Sequence, residues 1–210
     1  MTGRPLVIFG GTFDPPQVAH VAIARAVCDD LDADLLVVPT AANPLKANAP
    51  TDAHHRLAMA RLAFAPDRFP GRHVEISGIE IDRPPPSYTI DTLRELRARF
   101  GPQRPLRLLL GSDAALGFAR WREPEGILAL AEPAVVLRPP LDEATFLARI
   151  AATAGDDARR RWRPWIVAAP AIDVAATDVR ARCAEGGSTD GLLDPAVAGY
   201  IERHGLYVAP

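Results

Sequence analysis

Gly10-Gly11 interrupts an apolar run, Leu6 to Phe9, and His20 follows in the first turns of an apolar stretch that begins near Val18. The run has the length and branching of a buried strand. Two glycines let the backbone turn sharply and come close to a ligand, because no Cβ blocks the approach. A strand, a glycine turn and a helix start together aim backbone N–H groups and the positive end of a helix dipole at an anion. The same residue types also suit an ordinary strand-to-helix turn. The dinucleotide fingerprint G-x-G-x-x-G and the Gly-Lys-Ser/Thr of a P-loop are both absent here.

A second candidate stands out by its rarity. Lysine and arginine together number 24, and Lys46 is the single lysine. It lies in Asn43-Pro44-Leu45-Lys46, just after a second apolar run, on the side where the first run ends. A compact ammonium and a planar guanidinium are not interchangeable at a phosphate. A lone lysine in an arginine-rich chain is unusual, and taken by itself it reads as a chance surface residue. Ser87-Tyr88-Thr89-Ile90-Asp91-Thr92-Leu93 opens a helix. Ser or Thr can cap it, Asp91 suits its positive end, and such an end is a natural carboxylate site. Adjacent His54 and His55 face different directions on a helix, so they make a poor metal pair, and with His73 they read as surface residues.

These residues need elements to hold them. Strands are expected at Leu6–Gly11, Asp34–Thr40, Val74–Ile81, Leu106–Gly111, Ala134–Arg138 and Trp165–Ala169. Helices are expected at Val18–Leu31, Asp52–Phe64, Tyr88–Phe100 and Glu125–Ala131. Another opens at Asp194-Pro195, a good cap followed by a first-turn proline, and stops at Gly205. The pattern of Leu141–Arg163 is unclear, and its Arg159–Arg163 run reads as a solvated helix end. The alternation argues for an α/β, Rossmann-like, doubly wound fold, with a mostly parallel sheet covered by helices on both faces. One domain over residues 1–210 is expected, with a small C-terminal helical portion from about residue 172. Ligands of such sheets bind outside the carboxyl ends of the strands. Gly10-Gly11, the Lys46 segment and Gly111-Ser112-Asp113 all follow strands and are expected to converge on one cleft.

Composition excludes several classes. A net charge of −2 gives no footprint for nucleic acid. No apolar run approaches the roughly 20 residues that span a bilayer, and the early strand leaves no room for a signal peptide. Cys28 and Cys183, the only two cysteines, make neither a disulfide framework nor a zinc site. A cytoplasmic protein without nucleic-acid or membrane partners is expected. A homo-oligomer is compatible with the chain but does not follow from it.

Gly10-Gly11-Thr12-Phe13-Asp14-Pro15 with His20 resembles the G-G-T-F-D-P…H-x-G-H signature of the nucleotidyltransferase superfamily. Ser87–Leu93 looks like the S-Y-T-x-D-T-L hallmark of the nicotinate-nucleotide adenylyltransferase family. Gly111-Ser112-Asp113 with Trp121, Arg122 and Glu123 is similar to that family's G-x-D…W segment. Val174–Arg180 resembles its I-S-S/A-T-x-I-R, and the Val197 to Tyr207 tail its V-x-x-Y-I-x-x-H-x-L-Y. The tail reads as packing. The resemblance runs from Leu6 to Tyr207, with Gln17, Ala19 and Ala175 in place of a histidine, a glycine and a serine.

That resemblance implies adenylyl transfer from ATP to nicotinate mononucleotide, giving nicotinate adenine dinucleotide and pyrophosphate in NAD biosynthesis. The implied catalytic residues are His20, Lys46 and Arg180. ATP contacts are implied for Gly10, Gly11, Thr12, Phe13, Gln17, His20, Lys46, Gly111, Asp113, Thr177 and Arg180. For the mononucleotide they are Thr12, the Tyr88-Thr89 helix start, Trp121 as a stacking surface, and Arg122. Magnesium is implied as a companion of ATP, held by phosphates and water, and no residue is expected to be a dedicated metal ligand. Gln17 can still donate a neutral hydrogen bond to phosphate, at a loss of ~1–2 kcal/mol relative to a charged one. Ala19 would bring a methyl close to the nucleotide. Two alternatives stay open. One is a preference for nicotinamide mononucleotide or a sister adenylyl transfer, such as that to pantetheine phosphate, whose enzymes are shorter and lack S-Y-T-x-D-T-L. The other is a non-catalytic nucleotide binder weakened by Gln17, Ala19 and Ala175.

Overall fold

The computed structural model describes residues 3–41, 51–170 and 174–208. Lys46 therefore lies outside the described residues. Five strands, β1 (Leu6–Gly11), β2 (Asp34–Pro39), β3 (Val74–Ile76), β4 (Leu106–Gly111) and β5 (Glu132–Val136), form one sheet in the order β3-β2-β1-β4-β5. The order reverses direction between β1 and β4, as a doubly wound sheet does. The helices are α1 (Val18–Asp30), α2 (Ala53–Ala63), α3 (Thr89–Phe100), α4 (Ser112–Leu116), α5 (Pro124–Leu130), α6 (Glu143–Trp162), α7 (Ala176–Ala184) and α8 (Pro195–Arg203). Among the described residues no helix is long and apolar enough to cross a membrane.

The chain divides into two compact units. The first comprises residues 1–9, 23–35 and 88–172. Here β1 and β4 run parallel, with Leu6 beside Leu106 and Ile8 beside Leu108. β4 and β5 are also parallel, from Arg107 beside Glu132 to Gly111 beside Val136. The last strand in the order tolerates Pro133, which cannot donate to a ladder. Arg107 and Glu132 pair across these two strands. Side chains such as Leu108, Leu110, Val135 and Phe146 are buried, and the Trp162 ring meets Phe118 edge-on at 5.3 Å. Helix α3 packs on α5, and α4 packs on α6.

The second unit comprises residues 10–22, 36–87 and 173–210. Its interior includes Val37, Met59, Phe64, Val179 and Val197, all fully buried. Helix α2 packs on α8 and on β3. Asp52 caps α2 by accepting from the His54 N–H at 2.8 Å, and Asp194 caps α8 through the Ala196 N–H at 2.8 Å.

Three expected strands need correction, and one unclear stretch is resolved. The strand expected at Val74–Ile81 ends at Ile76, because the Ile81 and Asp82 N–H groups turn back onto the Gly78 carbonyl. The strand expected at Ala134–Arg138 lies two residues earlier, at Glu132–Val136. The strand expected at Trp165–Ala169 is a 3-10 turn, Arg163–Trp165, followed by a single bridge between Ile166 and Val135. The unclear stretch before it is helix α6, broken at Gly155, whose φ of 85° only glycine adopts easily.

Candidate active site

The loop after β1 lies in the second unit, and its geometry begins with two glycines that do different work. A Cβ on Gly11 would stand 2.8 Å from the Phe13 ring, so that position needs glycine for packing. A Cβ on Gly10 would meet no atom of the described residues within 4 Å, its chain neighbours aside. The Thr40 N–H and hydroxyl both donate to the Gly11 carbonyl, at 2.9 and 3.4 Å. Phe13, at φ 48°, is buried edge-on between His20 at 5.4 Å and Phe64 at 5.5 Å. Ala19 is buried, at 5% exposure.

His20 is oriented by the loop itself. Its Nδ1 accepts the Gln17 backbone N–H at 2.9 Å. A neutral imidazole that accepts at Nδ1 carries its proton on Nε2, so the second ring nitrogen is a donor. Gln17 is 2% exposed. Its carboxamide, turned so that each end meets its complement, donates to the Val174 carbonyl at 3.1 Å and accepts from the Ala176 N–H at 3.2 Å. Helix α7 begins at Ala176 behind Ala175, which offers no capping hydroxyl. Two departures from the resembled pattern, Gln17 and Ala175, are therefore one feature: the glutamine covers an amide at the helix start that the alanine cannot.

Arg180, on α7, reaches the same loop. Its guanidinium donates to the Asp14 carbonyl at 2.8 Å, using one of five N–H donors. The Asp14 carboxylate accepts the Tyr207 hydroxyl at 2.7 Å and the Thr51 N–H at 3.3 Å. Burial, and then that hydrogen bond to Asp14, push the Tyr207 phenol far above its ordinary pKa of 10.0. The C-terminal tail is thus a tether on the loop after β1 as well as packing. Thr177, one turn before Arg180, is exposed. His55, read from sequence as a surface residue, shares a hydrogen bond of 2.9 Å with the Tyr200 hydroxyl, and its ring lies 5.2 Å from that of His204.

The remaining candidates, Ser87 in the second unit aside, lie in the first unit. β4 ends at Gly111, and a Cβ there would come within 3.5 Å of the Arg138 guanidinium. Ser112 Oγ accepts the Arg138 N–H at 3.4 Å, and Asp113 is exposed. Sequence reading does not single out Arg138, which closes the expected strand Ala134–Arg138 and lies two residues past the end of β5. Tyr88 is the N-cap residue of α3, and no side chain caps that helix. Ser87, expected as a cap, donates instead to the Glu80 carbonyl at 3.5 Å. The exposed Arg122 guanidinium lies 4.7 Å above the Tyr88 ring. Trp121 is half-buried, tilted 37° against Phe118 at 5.3 Å. Among the described residues no group of three or more His, Cys, Asp or Glu side chains is placed to hold a metal ion.

Comparison with known proteins agrees with this architecture. A family model described as Cytidylyltransferase-like matches residues 8–182. A Roseiflexus sp. (strain RS-1) protein named "Probable nicotinate-nucleotide adenylyltransferase" is 42% identical, with 99% of this chain and 100% of that protein covered. A protein of the same name from Stenotrophomonas maltophilia (strain K279a) is 38% identical, with 97% of each chain covered. Among solved structures, the Plasmodium falciparum nicotinic acid mononucleotide adenylyltransferase complexed with NaAD superposes with a TM-score of 0.76 at 19% identity over 98% of both chains. The same enzyme complexed with APC gives 0.74 at 17% identity, again over 98% of both chains, and at such identities the likeness speaks for the fold. The chain belongs to the nicotinate-nucleotide adenylyltransferase family of cytidylyltransferase-like proteins.

Proposed function

We propose that this chain joins ATP and nicotinate mononucleotide into nicotinate adenine dinucleotide, releasing pyrophosphate, in the cytoplasm. The observation that carries the reading is the loop Gly10–Gln17 with two side chains oriented on it. His20 is held as an Nε2 donor by the Gln17 N–H, and Arg180 is anchored on the Asp14 carbonyl. Family membership and near-complete alignment with relatives of that name support the same reading.

The chemistry asks for little acid–base work. The phosphate of the mononucleotide is already ionised at neutral pH, so its oxygen attacks the α-phosphorus of ATP in line without a general base. Catalysis then consists of positioning and of stabilising charge on the phosphoryl oxygens. In this reading His20 Nε2–H donates to the α-phosphate, while Lys46 and Arg180 hold the β- and γ-phosphates and the leaving pyrophosphate. Gly10, Gly11, Thr12 and Phe13 supply the loop against the nucleotide, and Thr177 lies at the start of α7. Gly111 and Asp113 contact adenosine. The pyridine carboxylate takes the uncapped amides behind Tyr88 and Thr89, with Trp121 as stacking surface and Arg122 beside it. Gln17 acts on ATP indirectly, through α7. Magnesium enters with ATP as part of the substrate.

The test is pyrophosphate release by the purified protein with ATP, magnesium and nicotinate mononucleotide. Robust turnover, with nicotinamide mononucleotide competing poorly, is expected. Absence of turnover with any pyridine mononucleotide overturns the proposal, and calorimetric nucleotide binding without turnover would identify a non-catalytic binder instead.

A further inference from the structure

Glu123 stands between two arginines of the first unit, Arg94 on α3 and its own neighbour Arg122. It is the N-cap residue of α5 in the left-handed region, at φ 53° and ψ 58°, directly before Pro124. Non-glycine residues seldom adopt that conformation, and a residue before proline prefers extended backbone. Such a conformation persists where its surroundings fix it. The Glu123 carboxylate makes no cap bond to α5 and reaches α3 instead. Its Oε2 accepts from Arg94 Nη2 at 2.5 Å and its Oε1 from Arg94 Nη1 at 3.4 Å, a two-pronged pair. Arg94 also meets Asp91 at 3.5 Å. The second arginine is not so engaged. Arg122 Nε lies 3.9 Å from Glu123 Oε1, beyond hydrogen-bond distance, and its guanidinium rests 4.7 Å above the ring of Tyr88, the residue that opens α3. Arg94 and Glu123 are 52% and 43% exposed, and an ion pair so exposed adds little to global stability. Its consequence is local: it occupies a carboxylate that would otherwise neutralise Arg122.

We propose that Arg122 selects a carboxylated pyridine over an uncharged one, and that Arg94 is the positioning residue that keeps Arg122 available by holding Glu123 away from it. This deepens the pyridine reading above and rests on it. A guanidinium pairs with a carboxylate through two charged hydrogen bonds and gains nothing comparable from a neutral carboxamide. The contact with the Tyr88 ring is weak enough at an exposed site to be given up for such a pair. Arg122 therefore reads the substituent on the ring and not the phosphates or the adenosine. Without Arg94, the Glu123 carboxylate becomes a competitor of the substrate for the same guanidinium.

The experiment measures kcat/KM of the full-length protein at saturating ATP and magnesium, with nicotinate mononucleotide and with nicotinamide mononucleotide as alternative substrate or competitor. Arg122→Gln and Arg94→Ala should each lower the preference for nicotinate about tenfold, the difference between a charged and a neutral hydrogen bond. The KM for ATP should change less than about twofold, and melting temperatures should stay close to that of the unaltered protein. Adding Glu123→Gln to Arg94→Ala should bring the preference back to within about threefold of the unaltered protein, because the competing charge is gone. Adding Glu123→Gln to Arg122→Gln should restore nothing. A merely structural anchor predicts the reverse: losing both partners is no better than losing one, and both mononucleotides suffer alike. That pattern overturns the proposal, as does an unchanged preference in Arg122→Gln. Turnover by the unaltered protein with unshifted preferences in the variants sinks this inference alone. No turnover by the unaltered protein with either mononucleotide sinks the functional reading and this inference with it.

Discussion

The loop after β1 and the start of α3 are built in opposite ways. In the loop, these polar contacts run to backbone or to the half-buried Asp14 carboxylate: Gln17 to Val174 and Ala176, Arg180 and Tyr207 to Asp14, Arg56 to three carbonyls. At α3, the Tyr88 ring is covered by an exposed guanidinium, and Trp121 is half-buried against one phenylalanine. Helix starts divide the same way. Asp52, Asp142 and Asp194 cap α2, α6 and α8 with their own carboxylates, whereas α3 and α7 open on Tyr88 and Ala175 without one. Where charge changes during transfer, fixed donors are worth most because they need no reorganisation. Where a ring is only recognised, adaptable surface suffices.

Substitutions can break that contrast. His20→Ala should have the largest effect, a kcat lower by about 10²–10³ with modest KM changes, as for loss of one preorganised donor to a developing anion. Pyrophosphate-release kinetics measure it, and a loss no greater than that of Gln17→Ala would refute the role given to His20. Gln17→Ala should act on stability first. It leaves the Val174 carbonyl and the Ala176 N–H without their partner, at about 2 kcal/mol in urea unfolding, and raises the ATP KM through α7. Trp121→Ala should raise the mononucleotide KM by about three- to tenfold, the worth of an aromatic stack, with ATP kinetics nearly unchanged.

Tyr207→Phe should be the mildest at neutral pH, about 1 kcal/mol for one hydrogen bond. Its signature lies in alkali. The folded-state pKa of Tyr207 is raised, so its contribution is fully present below the unfolded-state value near pH 10 and is lost as pH climbs beyond it. Denaturant titrations above about pH 10 should therefore show a steeper loss for the unaltered protein than for Tyr207→Phe. Parallel curves would show that the hydroxyl is not held as described.

Local signals carried the architecture well. The apolar runs of β1, β2 and β4, the proline after Asp194 and the glycine at 205 each announce themselves within a few residues. Errors arose where a neighbour overrode a local pattern. Gly78 ends an alternation that otherwise reads as a strand, and Pro133 looks like a strand breaker until its place at the end of the sheet order is known. The candidate site was legible as a set of residue types but not as a set of contacts. Gln17 and Ala175 read as two separate defects, because only folding brings that amide to that helix start. Arg56 had one hint, a charge on the apolar face of α2, and periodicity alone cannot say which backbone it grips.

The bond from Tyr207 to Asp14 closes a span of 193 residues, and that from Arg180 to Asp14 a span of 166. A ribosome adding about 5–20 residues per second needs roughly 10–40 s to cross the longer span. During that interval the loop after β1 lacks both of its distant tethers. A nascent chain should therefore acquire its grip on nucleotide late and abruptly, so that translation, not encounter with substrate, times the birth of each active molecule.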